Sequence, residues 1–248
     1  MNGSPSPTFS LIVPTIRRLG DLEILFDSLL KSDFQDFEVI VVDQNEGPLI
    51  DDLCEKYGAR FPLRHLKISK CGGARARNYG RWFARGAIVN FPDDDCAVTP
   101  GLLGEVARRF SEYPSLDIQF GRSVDSTTGT SSVNRFSDQA QPVTLDNLYY
   151  TTVEFTMFAR RSVIEEVGPF DETLGVGTYY GADEGADFFL RALYLGKVVR
   201  YDPALVFHHP QKTGTYDEKE FRRALSYGRG FGRMSAKHWR YLGQASAV

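Results

Sequence analysis

Ala87-Ile88-Val89-Asn90-Phe91-Pro92-Asp93-Asp94-Asp95 passes from an apolar run directly into three carboxylates. A short apolar run of this kind reads as a buried strand. Its C-terminal edge then carries the aspartates, and that edge is where open α/β sheets bind nucleotides. Carboxylates this crowded repel one another unless a cation, a sugar hydroxyl or a water-filled cleft accepts them. The competing reading is a solvated acidic turn, and only the rest of the chain can decide between the two.

Upstream, strand and helix alternate as in a parallel sheet with crossover helices. Phe9 to Val13 is a strand ended by Pro14-Thr15, and Leu22, Leu25, Phe26, Leu29 and Leu30 recur at helical spacing behind Asp21. Phe37 to Val42 is a second buried strand delivering Asp43, with Gln44 to Pro48 as its turn. A helix over Leu49 to Tyr57, a strand over Leu63 to Ile68 and a helix opened by Gly72-Gly73 complete this half. Downstream, Pro100 to Tyr113 fits an amphipathic helix. Leu116 to Gly121 and Thr152 to Phe158 read as strands, separated by a polar stretch from Ser123 to Gln141 that is long for a compact domain unless it serves a site. Asp183 to Leu195 reads as a helix ended by Gly196. Val198 to Tyr201 and Leu205 to Phe207 read as two extended segments, the second delivering His208-His209-Pro210.

The 248 residues, with a formal charge of −3, describe one α/β domain and show no nucleic-acid-scale basicity. Cys54, Cys71 and Cys96 are odd in number and lack C-x-x-C spacing, which argues against a disulfide framework or structural zinc and for a reducing, cytoplasmic compartment. No apolar stretch approaches a membrane span, and Met1 to Pro7 has no signal-peptide core.

Six motifs in order resemble the family 2 inverting glycosyltransferases, nucleotide-sugar enzymes of the GT-A fold. They are Leu11 to Thr15, Val39 to Asp43, Gly72 to Gly80, Phe91 to Asp95, Glu184 to Arg191 and Tyr201 to His208, and the resemblance covers roughly Phe9 to Pro210. It implies a Rossmann-like, mostly parallel sheet flanked by helices, in a single domain over residues 1–216. The nucleotide-binding half would span about 9–100 and the acceptor half about 101–216, with 217–248 as a helical appendage.

For the site, the resemblance implies a nucleotide-sugar pocket of Pro14, Thr15, Asp43, Arg75, Arg77, Asn78, Asp93 and Asp94. Asp43 would accept a hydrogen bond from the base, favouring UDP- or dTDP-sugars, and the arginines would complement the diphosphate. Asp93 and Asp95, alternate residues pointing the same way, would hold Mn²⁺ or Mg²⁺, and His208 would complete the metal site. Two adjacent histidines before a proline could equally be a packed strand end. The family's usual Glu-Asp pair is broken here by Gly185. Glu184 is then preferred as general base, with Asp187, on the same helix face, binding the acceptor. The acceptor would be a carbohydrate or lipid-linked glycan of a surface polysaccharide.

A sugar-phosphate nucleotidyltransferase is disfavoured because Pro14 to Arg18 lacks a glycine-rich triphosphate loop. A catalytically inactive sugar-binding module would be expected to lose the acidic motifs that this chain keeps. From Asp217, arginines alternate with Phe221, Leu225, Tyr227, Phe231 and Trp239, a composition suited to peripheral contact with the inner membrane face. Packing on the catalytic domain is the alternative, and Gly228, Gly230 and Gly232 argue against one continuous helix.

Overall fold

A computed structural model of the chain describes residues 6–211 and 217–245. The first half forms β1 (Phe9–Thr15), α1 (Leu19–Leu30), β2 (Phe37–Asp43), α2 (Asp51–Gly58), β3 (Leu63–Lys67), α3 (Gly73–Arg81) and β4 (Ile88–Asn90). These four strands are mutually parallel in the order β3-β2-β1-β4, so all their C-terminal ends reach one edge.

The second half contributes β5 (Ala97–Val98), α4 (Leu102–Glu112), β6 (Ile118–Val124), β7 (Gln141–Pro142), α5 (Leu148–Thr151) and a 3₁₀ turn at Glu154–Thr156. After it come β8 (Met157–Arg160), α6 (Arg161–Val167), α7 (Glu184–Tyr194), β9 (Val199–His208) and α8 (Glu218–Ala245). The sheet continues from β4 through β8, β6 and β9 to β5, with β7 paired on β9. β8 runs antiparallel to β4, β6 antiparallel to β8, and β9 parallel to β6. The same edge therefore receives the C-terminal ends of β1, β2, β4, β6 and β9 and the N-terminal end of β8.

Alternation along the buried strands splits the core in two. Leu11 and Val13 pack on one side with Leu22, Phe26, Leu53, Leu103 and Val106 of α1, α2 and α4. Ile12, Ile40 and Val42 face the other side, with Ala74 and Ala76 of α3, Ile164 of α6 and Phe188 of α7. Helix α3 lies close on the sheet because Gly80 has no side chain: a Cβ there would stand 2.4 Å from Cγ2 of Ile12.

Two strand readings differ from the structure. Thr152 to Phe158 is not one strand: the chain makes a 3₁₀ turn over Glu154–Thr156, and pairing begins only at Met157. Buried Asn90 holds that turn, donating from Nδ2 to the carbonyls of Phe155 (2.9 Å) and Met157 (2.7 Å). The two extended segments near the C-terminus are the single strand β9. Its pairing with β6 shifts register between Phe120 and Arg122, and the skipped residues include Pro203, which has no N–H to donate.

Candidate active site

The aspartate triplet lies at the edge that the topology assembles. Arg18, in the β1–α1 connection, pairs with Asp95 and lies 3.6 Å from Asp94, while Arg77 on α3 donates from Nη2 to Oδ1 of Asp93 at 3.1 Å. Burial pushes the Asp94 carboxyl up to about 6, against the lowering effects of Thr15 and Arg18. Asp93 is also raised, by burial and despite Arg77. Burial acts on Asp95 in the same sense, yet His209 and Arg18 overcome it and hold that carboxyl well below the usual range.

The histidine that meets the triplet is His209, not His208. β9 ends at His208, and the next residue turns its ring so that Nε2 stands 3.1 Å from Oδ1 of Asp95. Adjacent residues on an extended chain point to opposite sides, so only one of the pair can face the aspartates. His209 is stacked on Phe155 with ring centroids 5.1 Å apart. Its Nδ1 is 2.9 Å from the carbonyl of Pro210, which can only accept, so Nδ1 is the donor and Nε2 is aimed at the acids. Histidines that ligate metals are oriented this way. One ligand atom from each of Asp93, Asp95 and His209 lies within 4.8 Å of the others. Two carboxylates and an imidazole suit a divalent cation such as Mn²⁺, so these residues fit the expected metal with His209 in place of His208.

Arg77 links this group to a second set of acids. Its Nη1 donates to Oε1 of Glu184 at 2.9 Å, and the charges of Asp93 and Glu184 keep the buried guanidinium firmly protonated although burial works against it. Glu184 begins α7, immediately after Asp183 in the left-handed region (φ 69°), which aspartate tolerates better than most residues. The loop at Gly175 closes over Glu184: a Cβ there would lie 2.6 Å from the Glu184 carboxyl carbon, and φ is +94°. Beside Glu184 stands Glu154, which the sequence reading did not single out. Its neighbourhood had one signal in the sequence, the missing side chain at Gly185.

Several expected donor-site residues have partners within the framework. Arg75 turns away and pairs with Glu172 at 2.9 Å. Asn78 clamps the segment before α7, donating to the Phe170 carbonyl and accepting from the Phe170 N–H, both at 2.9 Å. Asp43 is wholly buried, with Oδ1 bound by Asn45 and Oδ2 by His65, so Asn45 is the more exposed group at that strand end. Pro14 and Thr15 do line the edge, with Thr15 beside Asp94.

Asp187 is likewise not open to an acceptor. It is fully buried and bound by Lys237 (2.6 Å), His238 (2.9 Å) and Arg191 (3.0 Å). Burial would raise its carboxyl, but His238, Lys237 and Arg191 hold it below its ordinary value. Two of these partners lie on α8, so this ionic contact pins the C-terminal helix to α7. The helix runs unbroken through its glycines, and one of them is a contact point: a Cβ on Gly230 would meet the Ala182 carbonyl at 2.6 Å.

A carboxylate depressed in the folded state stabilises fully above its ordinary pKa, about 3.9, and loses that stabilisation as pH falls toward the folded value. Docking of α8 is thus expected to hold from neutral pH to about pH 5 and to weaken progressively as pH falls below about 4. Asp187→Asn should expose α8 to protease already at neutral pH. Equal cleavage of wild type and variant would rule this anchor out.

The family model described as Glycosyl transferase family 2 matches residues 10–168. Pre-mycofactocin glycosyltransferase of Mycobacterium tuberculosis is 26% identical over 239 residues, covering 92% of this chain and 48% of its own length. The poly(ribitol-phosphate) beta-N-acetylglucosaminyltransferase TarS of Staphylococcus aureus is 32% identical over 111 residues, 43% of this chain and 19% of its own. The chain thus spans about half the length, or less, of these curated relatives. Among solved structures, S. aureus TarS 1–349 in complex with UDP-GlcNAc superposes with a TM-score of 0.67 at 25% identity, covering 84% of this chain and 60% of that one. Mannosyltransferase PcManGT from Pyrobaculum calidifontis, in complex with GDP-Man and Mn²⁺, has a TM-score of 0.67 at 18% identity over 93% of this chain and 64% of its own, a likeness of fold alone.

Proposed function

The chain belongs to glycosyl transferase family 2, and on that footing we propose that it moves a hexose, with inversion, from a UDP- or dTDP-sugar to a carbohydrate or lipid-linked glycan acceptor in surface polysaccharide synthesis. The observation that carries this reading is the joining, through Arg77, of the Asp93/Asp95/His209 group to the Glu184 group at one sheet edge. Such a site must stabilise a departing diphosphate on one side and accept a proton on the other. The UDP-GlcNAc complex of TarS supports a UDP-sugar donor.

In this mechanism Asp93, Asp95 and His209 would hold a divalent cation, which would supply charge neutralisation for the leaving nucleoside diphosphate. Arg77 donates to both Asp93 and Glu184 and fixes them in place, so little reorganisation accompanies the reaction. The acidic group around Glu184 takes the proton of the acceptor hydroxyl. The test is release of nucleoside diphosphate from UDP-GlcNAc, UDP-glucose, dTDP-glucose and GDP-mannose with Mn²⁺. Turnover confined to uridine and thymidine donors is expected, and no turnover of any donor contradicts the proposal.

The same reading places the enzyme in the cytoplasm, resting on the inner membrane face. Among the described residues no helix is long and apolar enough to cross a membrane. α8 leaves Phe221, Leu225, Phe231 and Trp239 exposed beside its arginines, which supports interfacial contact. Anionic liposomes should sediment the intact chain at low salt and release it as salt is raised. Recovery unchanged by Phe221→Ser/Trp239→Ser would contradict contact through α8.

A further inference from the structure

Nearly every acid around the site is already committed to a cation. Asp93 and Glu184 share Arg77, Asp94 and Asp95 share Arg18, and Asp187 is held by α8. Among the described residues, Glu154 and Asp183 form no ion pair, and Asp183 instead accepts the Tyr149 hydroxyl at 2.9 Å. Glu154 has only its own backbone N–H as donor and is half-buried, so its carboxyl is uncommitted.

Its position is specific. The 3₁₀ turn at the N-terminal end of β8 sets Glu154 on the same edge as the aspartates, and a Cβ at Gly185 would lie 1.9 Å from its Oε1. The carboxyl therefore fills the space that a side chain at 185 would enter, directly beside Glu184. The acid pair that Gly185 interrupts in sequence is completed in space from β8.

Resting on the glycosyltransferase reading above, we propose that Glu154 is the general base and Glu184 a positioning residue that Arg77 holds in place. A Glu154 oxygen takes the acceptor hydroxyl proton as the acceptor oxygen bonds to the anomeric carbon. The bond from that carbon to the donor phosphate oxygen breaks, its electron pair leaves on the nucleoside diphosphate, and Glu154 passes the proton to water. The groups facing Glu154 are Glu184, Arg77, Asp93, Tyr149 and Tyr227. Burial, then the Glu184 charge, push its carboxyl up to about 7, where a base works well near neutrality.

The test measures nucleoside diphosphate release with Mn²⁺ from whichever of UDP-GlcNAc, UDP-glucose, dTDP-glucose and GDP-mannose the wild type turns over. Glu154→Gln, which preserves shape, should lower kcat about a hundredfold or more while donor KM stays within about threefold. The rise of wild-type kcat as pH passes about 7 should vanish in that variant. A Glu154→Gln enzyme near wild-type kcat, or one that keeps the pH rise, overturns the assignment and leaves the glycosyltransferase reading intact. A wild type inactive on all four donors overturns the reading itself.

Discussion

Asp95→Ala is expected to lower sugar transfer by at least about a hundredfold. The substitution removes one of two carboxylates that can face a divalent cation, and it leaves Arg18 and His209 without their shared anion. Arg18 would then leave its positive charge unbalanced where the cation should sit. Chelation of the wild type with EDTA should produce a loss of the same order, reversed by Mn²⁺, whereas Mn²⁺ that saturates the wild type should not rescue the variant. Nucleoside diphosphate release checks both arms, and full wild-type activity in EDTA would contradict the metal assignment.

The largest expected effect on stability is at Arg77. The guanidinium is buried between Asp93 and Glu184, with Glu154 also in its field. Arg77→Met keeps much of the side-chain volume but leaves three neighbouring acids without their common counter-charge. Breaking a buried pair from one side costs about 3–5 kcal/mol, which for a domain of this size lowers Tm on the order of 10 °C.

The pH sign follows from the acids left behind. Asp93 and Glu154 are raised even with Arg77 present, by burial first, and losing the cation raises them further. Acids raised in the folded state favour folding below their ordinary values and lose that contribution as pH climbs through the raised ones. The deficit of Arg77→Met should therefore be smaller at pH 5 than at pH 8, and Mn²⁺ should narrow it. Thermal melts at both pH values check this; a Tm equal to that of the wild type would show that Arg77 is not the counter-charge.

Three strands of the parallel half, β1, β2 and β4, were legible because they are buried and read as apolar runs that lead into a polar group: Thr15, Asp43 and, beyond the end of β4, Asp93. What was not legible depended on register and on contacts distant in sequence. The choice between His208 and His209 turns on a single-residue step at the end of a strand whose pairing shifts near Pro203. On α3, Arg77 reaches the acids while Arg75 and Asn78 serve the neighbouring segment. Gly80 held the clue, since it packs on β1 and β2 and Arg77 lies three residues before it, on the same helix face.

Glu154 was hidden because its turn read as part of a strand and its partner at Gly185 lies far along the chain. Asp187 looked catalytic because its partners on α8 could not be foreseen. The glycines of α8 read as helix breakers, but at Gly230 the lack of a side chain admits close approach to Ala182.

Titration of Mn²⁺ into the protein with UDP or dTDP present, by calorimetry, tests most directly whether the sheet edge is a metal-dependent nucleotide site. The account predicts that the wild type and His208→Ala bind the cation with similar affinity, while Asp95→Ala and His209→Ala lose most of it. Absence of Mn²⁺ binding in the wild type, or binding that survives His209→Ala and is lost in His208→Ala, would contradict it.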